Sequence, residues 1–116
     1  MVALALAVAL AGPPKATLQT ASQTVPLAVS SWCWRSRCGA PFTASRRNAA
    51  APLGSAVTVH LAFAPRRARV EVGGRLVGAL IHGDDVTWRA RSGGGLTVTV
   101  TGRHGWVTYV GRLRVR

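Results

Sequence analysis

Acidic side chains are scarce in this 116-residue chain. Three acids, Glu71, Asp84 and Asp85, stand against 15 basic residues, and the formal net charge is +12. Every basic residue except Lys15 is an arginine. Catalysis by paired carboxylates needs acids on facing elements, and two of these three share one turn. The composition therefore disfavours that class of enzyme, while it admits anionic polymers, phospholipid headgroups and nucleic acid as partners.

Other catalytic and metal-binding patterns are also missing. The three histidines, His60, His82 and His104, do not form a pair at the spacing of metal ligands. No serine lies in a G-x-S-x-G motif, and the glycines at 93–95 lack the lysine and the following helix of a phosphate-binding loop. We therefore expect no enzymatic activity, no cofactor and no metal site.

Long apolar runs are limited to residues 1–11, MVALALAVALA. This run is too short to cross a bilayer as a helix. It is typical of the apolar part of a signal peptide, with Ala9, Leu10 and Ala11 as the cleavage pattern, although the usual preceding positive charges are missing. We expect export of the chain, with a buried N-terminal strand or helix as the alternative. Residues 12–24, small and polar with two prolines, predict a flexible linker with a short extended piece.

Residues 25–116 show the alternation of β-strands and no helical period. Val57, Val59 and Leu61, for example, alternate with polar Thr58 and His60. Similar short runs recur along the chain, separated by turns rich in glycine. One of them, over residues 75–81, follows Gly73–Gly74, which predict a two-residue hairpin turn. The pattern predicts one all-β domain over residues 25–116, a small antiparallel immunoglobulin-like β-sandwich of about six or seven strands. A small β-barrel is the alternative.

Both cysteines lie in the segment SSWCWRSRCGA. Four residues separate Cys33 from Cys38, a length that suits a tight hairpin, in which opposed residues are close enough for a disulfide. Redox catalysts use C-x-x-C, which is absent, and a zinc site would need two further ligands. The spacing therefore predicts a structural disulfide.

Two tryptophans, Trp32 and Trp34, flank the first cysteine. If the strand continues unbroken from Leu27, both rings lie on the face opposite to Leu27 and form an exposed aromatic pair beside Arg35 and Arg37. If a bulge resets the alternation, a tryptophan packs into the core. An exposed aromatic and arginine tip would suit a carbohydrate, a lipid headgroup or a protein, so these four residues are candidate ligand contacts.

Four further arginines are candidate ligand contacts. Arg89 and Arg91 share one face of a predicted strand, and Arg112 and Arg114 share one face of another. If the two strands are neighbours, these side chains form a cationic stripe. The alternative is a solvated surface whose charge maintains solubility.

Three motifs carry a resemblance to a family. They are the S-W-C-W-x3-C segment, the strand V-T-V-x-L-x-F-x-P and the closing strand G-W-x-x-Y-x-G-x-L-x-V. Over residues 25–116 the chain resembles a loose group of small exported bacterial proteins with an S-[YW]-C-W…C segment ahead of a β-sandwich. It differs in having Trp32 where the group has tyrosine, and in its arginine-rich spacers. The resemblance implies fold and compartment, and it transfers no catalytic residue.

These observations favour an exported, disulfide-bonded, non-enzymatic binding or structural module located outside the cytoplasm. Its expected partner is an anionic polymer of the cell envelope, a lipid headgroup or another protein, contacted through an arginine-rich face. No transmembrane span is expected. The alternative is a basic cytoplasmic protein that binds nucleic acid, although no recognition helix or stacking motif is present.

Overall fold

The computed structural model describes residues 12–40 and 46–116, and over these residues all regular structure is β-strand. The signal-like segment 1–11 and residues 41–45 lie outside the described residues. The strands are β1 Ala16–Gln19, β2 Thr24–Pro26, β3 Ala28–Trp34, β4 Arg37–Gly39, β5 Asn48–Ala51, β6 Ala56–Leu61, β7 Pro65–Val72, β8 Arg75–Val77, β9 Leu80–His82, β10 Asp85–Arg89, β11 Gly94–Gly102 and β12 Gly105–Val115.

The strands form two sheets. The five-stranded sheet has the order β2-β1-β6-β10-β9, and the seven-stranded sheet has the order β4-β3-β12-β11-β7-β8. Strand β5 pairs in parallel with the end of β12, beyond β3 and on the same edge, whereas all other pairs are antiparallel. The prediction of a small all-β sandwich is confirmed.

One apolar core joins the two sheets. Alternate residues of each strand point inward, so that Val57 and Val59 of β6 share the core with Val98 and Val100 of β11. The opposite faces of β6, β10 and β11 carry threonines, which remain half-exposed. This division of each strand into an apolar and a polar face is the expected pattern for antiparallel sheets with one face in water.

The structure has more strands than the six or seven predicted, because short strands such as β1 and β5 lie outside the predicted runs and because the run over residues 75–81 is divided. The predicted strand over residues 75–81 breaks at Gly78 and Ala79. Its first half, β8, is an edge of the seven-stranded sheet, and its second half, β9, is an edge of the five-stranded sheet. Glycine has low strand propensity and marks a bend here. This crossing connects the two sheets along one side of the sandwich.

The predicted linker over residues 12–24 is instead attached to the domain. Its extended piece is β1, where Leu18 is fully buried in the core. The Tyr109 hydroxyl, on β12, donates a hydrogen bond of 2.7 Å to the Pro14 carbonyl. Composition suggested a linker because these residues are small and polar, but pairing with β6 supplies the hydrogen bonds and burial that order them.

Candidate anion-binding site

The predicted disulfide is present in a β-hairpin. Cys33 on β3 directly opposes Cys38 on β4, with their Cα atoms 4.0 Å apart. Arg35 and Ser36 form the turn, and both have positive φ, at 52° and 67°. The bond therefore closes a hairpin whose turn uses a backbone conformation that residues other than glycine rarely adopt.

A bulge in β3 places the two tryptophans on the inner face. Val29 opposes Tyr109 and Ser31 opposes Thr108, so one residue of β3, Ser30, has no partner on β12. After the bulge, Trp32 lies opposite buried Val107. The two tryptophans therefore follow the second of the alternatives given by the sequence, and no exposed aromatic pair forms beside the turn.

Both indole rings have packing partners. Trp34 is 8% exposed, and its ring centroid lies 4.7 Å from that of Phe63 and 5.9 Å from that of His104. Trp32 is half-buried and covers Gly39, where an added Cβ would come within 2.9 Å of the indole. We therefore leave both tryptophans out of the candidate site. The exposed aromatic of this region is Trp106, 36% exposed, which lies opposite Cys33 on the outer face.

Arg35 and Arg37 are exposed at this end of the sandwich, which we call the hairpin end. Arg66 and Arg103 belong to the same end, since their charges and that of Arg35 act on His104. Withdrawal of the ring from water, followed by the positive charges of these three arginines, lowers the pKa of His104. The hairpin end is thus a group of exposed arginines on turns and at the ends of strands.

The four arginines of the predicted stripe do not come together. Arg89 lies on β10 of the five-stranded sheet, whereas Arg112 and Arg114 lie on β12 of the seven-stranded sheet. Arg114 borders a separate small cavity with Gln23. The stripe required the two strands to be neighbours, and the sandwich places them in different layers.

Arg89 and Arg91 instead meet a third arginine, Arg75, across the edge of the sandwich. Arg75 is on β8, the edge of the seven-stranded sheet, and the three side chains line a cavity of about 460 Å³ that we call the arginine groove. Ser92 adds a hydroxyl to its wall. The apolar lining comes from Val72, Leu76, Val77 and Trp88, together with Gly78.

None of the residues that line the groove is acidic, and among the described residues no groove arginine forms an ion pair. Glu71 pairs with Arg69 at 3.0 Å, and Asp85 pairs with His60 at 2.7 Å. Arg89 Nη1 donates a hydrogen bond of 3.1 Å to the Gly54 carbonyl, which holds its guanidinium in place. Since guanidinium groups remain charged at all physiological pH values, the groove is a permanent concave cationic surface suited to an anion.

Sequence reasoning found Arg89 and Arg91 but missed Arg75 and Ser92. Arg75 follows the Gly73–Gly74 turn, whose two glycines have positive φ as a two-residue hairpin turn requires. That hairpin was predicted from the sequence. No local pattern indicates that β8 lies beside the end of β10, because the two strands belong to different sheets.

A second polar cluster lies on the outer face of the five-stranded sheet. His60 Nδ1 is 2.7 Å from Asp85 Oδ1, and its Nε2 is in contact with Gln19 Oε1. The cross-strand register of β1, β6 and β10 brings these residues together. Both ring nitrogens are occupied by acceptor-type side chains, and neither contact is a hydroxyl or thiol nucleophile. Over residues 12–40 and 46–116 no three histidine, cysteine or acidic side chains form a metal-binding group.

In residues 12–40 and 46–116 no helix is long and apolar enough to span a bilayer. Comparison of the chain with protein-family models, curated proteins and solved structures finds no match.

Proposed function

We propose that this protein is an exported, disulfide-bonded binding module that holds an anionic component of the cell envelope in the arginine groove. The observation that carries the proposal is the convergence of Arg75, Arg89 and Arg91 on one concave surface whose lining contains no acidic residue. Planar guanidinium groups form paired hydrogen bonds with phosphate and carboxylate groups. A phosphate-bearing or carboxylate-bearing ligand is therefore the chemical class that the groove fits best.

Binding is favoured over catalysis by the chemistry of the lining. Arginine does not release its proton in proteins, so it positions and neutralises anions and cannot act as a general base. The other lining residues are apolar, apart from the Ser92 hydroxyl, which has no histidine or carboxylate on the groove wall to activate it.

The proposed location outside the cytoplasm is supported by the disulfide hairpin and by residues 1–11. Disulfides persist in oxidising environments and are rare in the cytosol, and both cysteines of the chain are used in one bond. Residues 1–11 have the apolar pattern of a signal peptide. Together these features favour a location outside the cytoplasm.

Intact mass spectrometry of the natively produced protein tests the compartment. We expect loss of the N-terminal apolar segment and two thiols that react with an alkylating agent only after reduction. A full-length mass with free thiols would contradict export and would favour the alternative, a cytoplasmic nucleic-acid-binding protein.

Affinity for a short polyphosphate chain, a soluble stand-in for a phosphate-bearing polymer, tests the groove. The double variant Arg75→Gln, Arg91→Gln removes two groove charges, and we expect it to bind about a hundredfold more weakly, since hydrogen bonds to charged groups each contribute about 1.5 kcal/mol or more. The matched control Arg66→Gln, Arg67→Gln removes two exposed charges at the hairpin end. Equal losses in the two double variants would show that binding follows net charge alone, and the groove would not be the site.

A further inference from the structure

Trp106 differs from the other tryptophans of the chain in facing water. It is 36% exposed, whereas the other three pack into or against the core. On β12 it lies between Cys33 of β3 and Thr101 of β11, on the outer face of the seven-stranded sheet. An indole is among the most buried side chains on average, so an exposed one on a polar face marks a candidate contact surface.

Threonine hydroxyls surround Trp106 on this outer face. Thr99 and Thr101 follow each other along the face of β11, and Thr108 lies next to Thr99 on β12; all three are half-exposed. Strands β11 and β12 pair without a bulge, so threonines on one strand lie about 6.8 Å apart. The hydroxyls of Thr99 and Thr108 are 3.1 Å apart, in a hydrogen bond that leaves each able to form another. The face therefore presents donors and acceptors beside an aromatic ring.

A cation borders the same surface. Arg67 of β7 pairs with Thr101, so it lies on the outer face two strands away from Trp106, about 10 Å across the sheet. Arg67 is exposed, and among the described residues it forms no ion pair. The one acid that the described residues place on this face, Glu71, pairs with Arg69 at 3.0 Å. The charge of the surface therefore complements a carboxylate.

An aromatic ring, hydroxyls and a cation together match a chain of acidic sugars. A sugar ring has an apolar face of C–H groups that stacks on an indole, and its hydroxyls bond to threonine side chains. The carboxylate of a uronic acid forms paired hydrogen bonds with a guanidinium group. Inorganic polyanions have no apolar face and would gain nothing from Trp106. Proteins that bind single-stranded nucleic acid stack successive bases on several aromatic side chains, whereas this face has one indole among hydroxyls.

We propose that this surface, which we call the tryptophan face, binds a polysaccharide of acidic sugars. Trp106 stacks on one sugar of the chain. The hydroxyls of Thr99, Thr101 and Thr108 bond to the sugar hydroxyls around it, and Arg67 pairs with the carboxylate of a sugar further along. The tryptophan face shares no residue with the arginine groove, so the inference goes beyond the proposed function and stands without it.

Titration calorimetry with uronic acid chains tests the inference. The probes are polygalacturonate and alginate, the methyl ester of polygalacturonate, which keeps the sugars without their charge, and polyphosphate, which has charge without sugars. The variants are Trp106→Ala, Trp106→Phe, Arg67→Gln and Thr99→Val.

Thr58→Val is the matched control for Thr99→Val. Thr58 is a half-exposed threonine whose hydroxyl lies 3.2 Å from that of Thr87 on the next strand, as the hydroxyl of Thr99 lies 3.1 Å from that of Thr108. Both replacements thus remove the same kind of cross-strand hydrogen bond. Thr58, however, lies on the five-stranded sheet, away from the tryptophan face.

We expect the unaltered protein to bind the uronic acid chains, and to bind the methyl ester more weakly. Trp106→Ala should weaken binding about tenfold or more, and Trp106→Phe should retain most of it, because a phenyl ring also stacks. Arg67→Gln should weaken binding about tenfold, since it removes hydrogen bonds to a charged group. Thr99→Val should weaken it about threefold, whereas Thr58→Val should bind as the unaltered protein does. All variants should keep the affinity for polyphosphate and a melting temperature within a few degrees of the unaltered protein.

Three results would overturn the inference. The first is no binding of either uronic acid chain, and the second is binding that Trp106→Ala leaves unchanged or that Thr99→Val and Thr58→Val weaken equally. The third is binding of a single-stranded oligodeoxynucleotide that depends on Trp106, without binding of polysaccharide, which would assign the tryptophan face to nucleic acid.

Discussion

At the scale of single residues, the turn of the disulfide hairpin uses two side chains where glycine would be less costly. Arg35 and Ser36 both have positive φ, a conformation that costs about 1–2 kcal/mol for a residue with a Cβ. A disulfide that closes so short a loop contributes roughly 2 kcal/mol through the entropy of the unfolded chain. The bond between Cys33 and Cys38 therefore offsets much of the cost of the turn.

The first prediction concerns Ser36. Replacement Ser36→Gly should raise the free energy of unfolding by about 1 kcal/mol, because glycine adopts positive φ without a steric penalty. Ser22 is an exposed serine whose φ is not positive, so Ser22→Gly should instead lower the free energy of unfolding. Chemical denaturation of both variants gives the comparison. Equal effects of the two changes would contradict the account of the turn.

The second prediction concerns His104. Its pKa is lowered by withdrawal from water and by the charges of Arg35, Arg103 and Arg66, so the folded protein binds a proton there less readily than the unfolded chain. The stability that results is fully present above the usual histidine pKa of 6.5 and is lost as the pH falls through the lowered value. Denaturation between pH 7.5 and pH 5 should therefore show a smaller loss of stability in His104→Gln than in the unaltered chain. The same pH dependence in both proteins would show that His104 does not contribute.

At the scale of the elements, the bulge in β3 determines which face the tryptophans occupy. A shift of one residue moves every later side chain of a strand to the other face. The alternation predicted most of the strands, because β6, β10, β11 and β12 each have one apolar and one polar face. It could not locate the bulge, because Ser30 and Ser31 are both small and polar and either could be unpaired.

The third prediction follows from that register. Deletion of Ser30 removes the residue without a partner and leaves Val29, Ser31 and Trp32 in a regular ladder, so it should change the free energy of unfolding by less than about 1 kcal/mol. Deletion of Thr99 from the regular strand β11 should cost more than about 3 kcal/mol, because it inverts one part of a central strand. Denaturation followed by tryptophan emission measures both. If the two deletions lowered the free energy of unfolding equally, the register of β3 against β12 would be wrong.

The candidate site was harder to predict from the sequence than the strands were. Alternation places a residue on a face of its own strand, whereas the arginine groove is formed between β8 and β10, which lie in different sheets. Only the break at Gly78, which carries the chain from one sheet to the other, brings Arg75 next to Arg89 and Arg91. A glycine inside an apolar run was the one sequence feature that pointed to this crossing, and it did not indicate which strands would meet.

At the scale of the whole molecule, two groups of arginines lie near opposite ends of strand β11, and they differ in shape. Strand β11 begins at Gly94 beside the groove and ends at Gly102 beside the hairpin end, a span of about 26 Å at the usual rise per residue. The net charge of +12 predicts attraction to any polyanion. The groove adds a concave apolar lining to three of these charges, and this difference leads us to place the ligand there and not at the projecting arginines.

The fourth prediction uses the salt dependence of binding to distinguish a ligand in the arginine groove from one at the hairpin end. Each arginine that contacts a phosphate adds about one unit to the slope of the logarithm of affinity against the logarithm of salt concentration. Arg75→Gln, Arg91→Gln should therefore reduce the slope for polyphosphate by about two units, and Arg66→Gln, Arg67→Gln should leave it nearly unchanged. Titrations at several salt concentrations give the slopes. If Arg66→Gln, Arg67→Gln reduced the slope more than the groove variant does, the phosphate contacts would lie at the hairpin end, which would contradict our proposal.

The central claim is that the arginine groove is where the ligand binds, and nuclear magnetic resonance tests it most directly. Polyphosphate is titrated into the isotopically labelled protein while backbone amide shifts are recorded. We predict that the shifted amides lie on the residues that line the groove, around Arg75 to Val77 and around Arg89 to Ser92, while those of Arg35 and Arg103 stay in place. Shifts concentrated at the hairpin end, or spread evenly over all exposed arginines, would contradict the account.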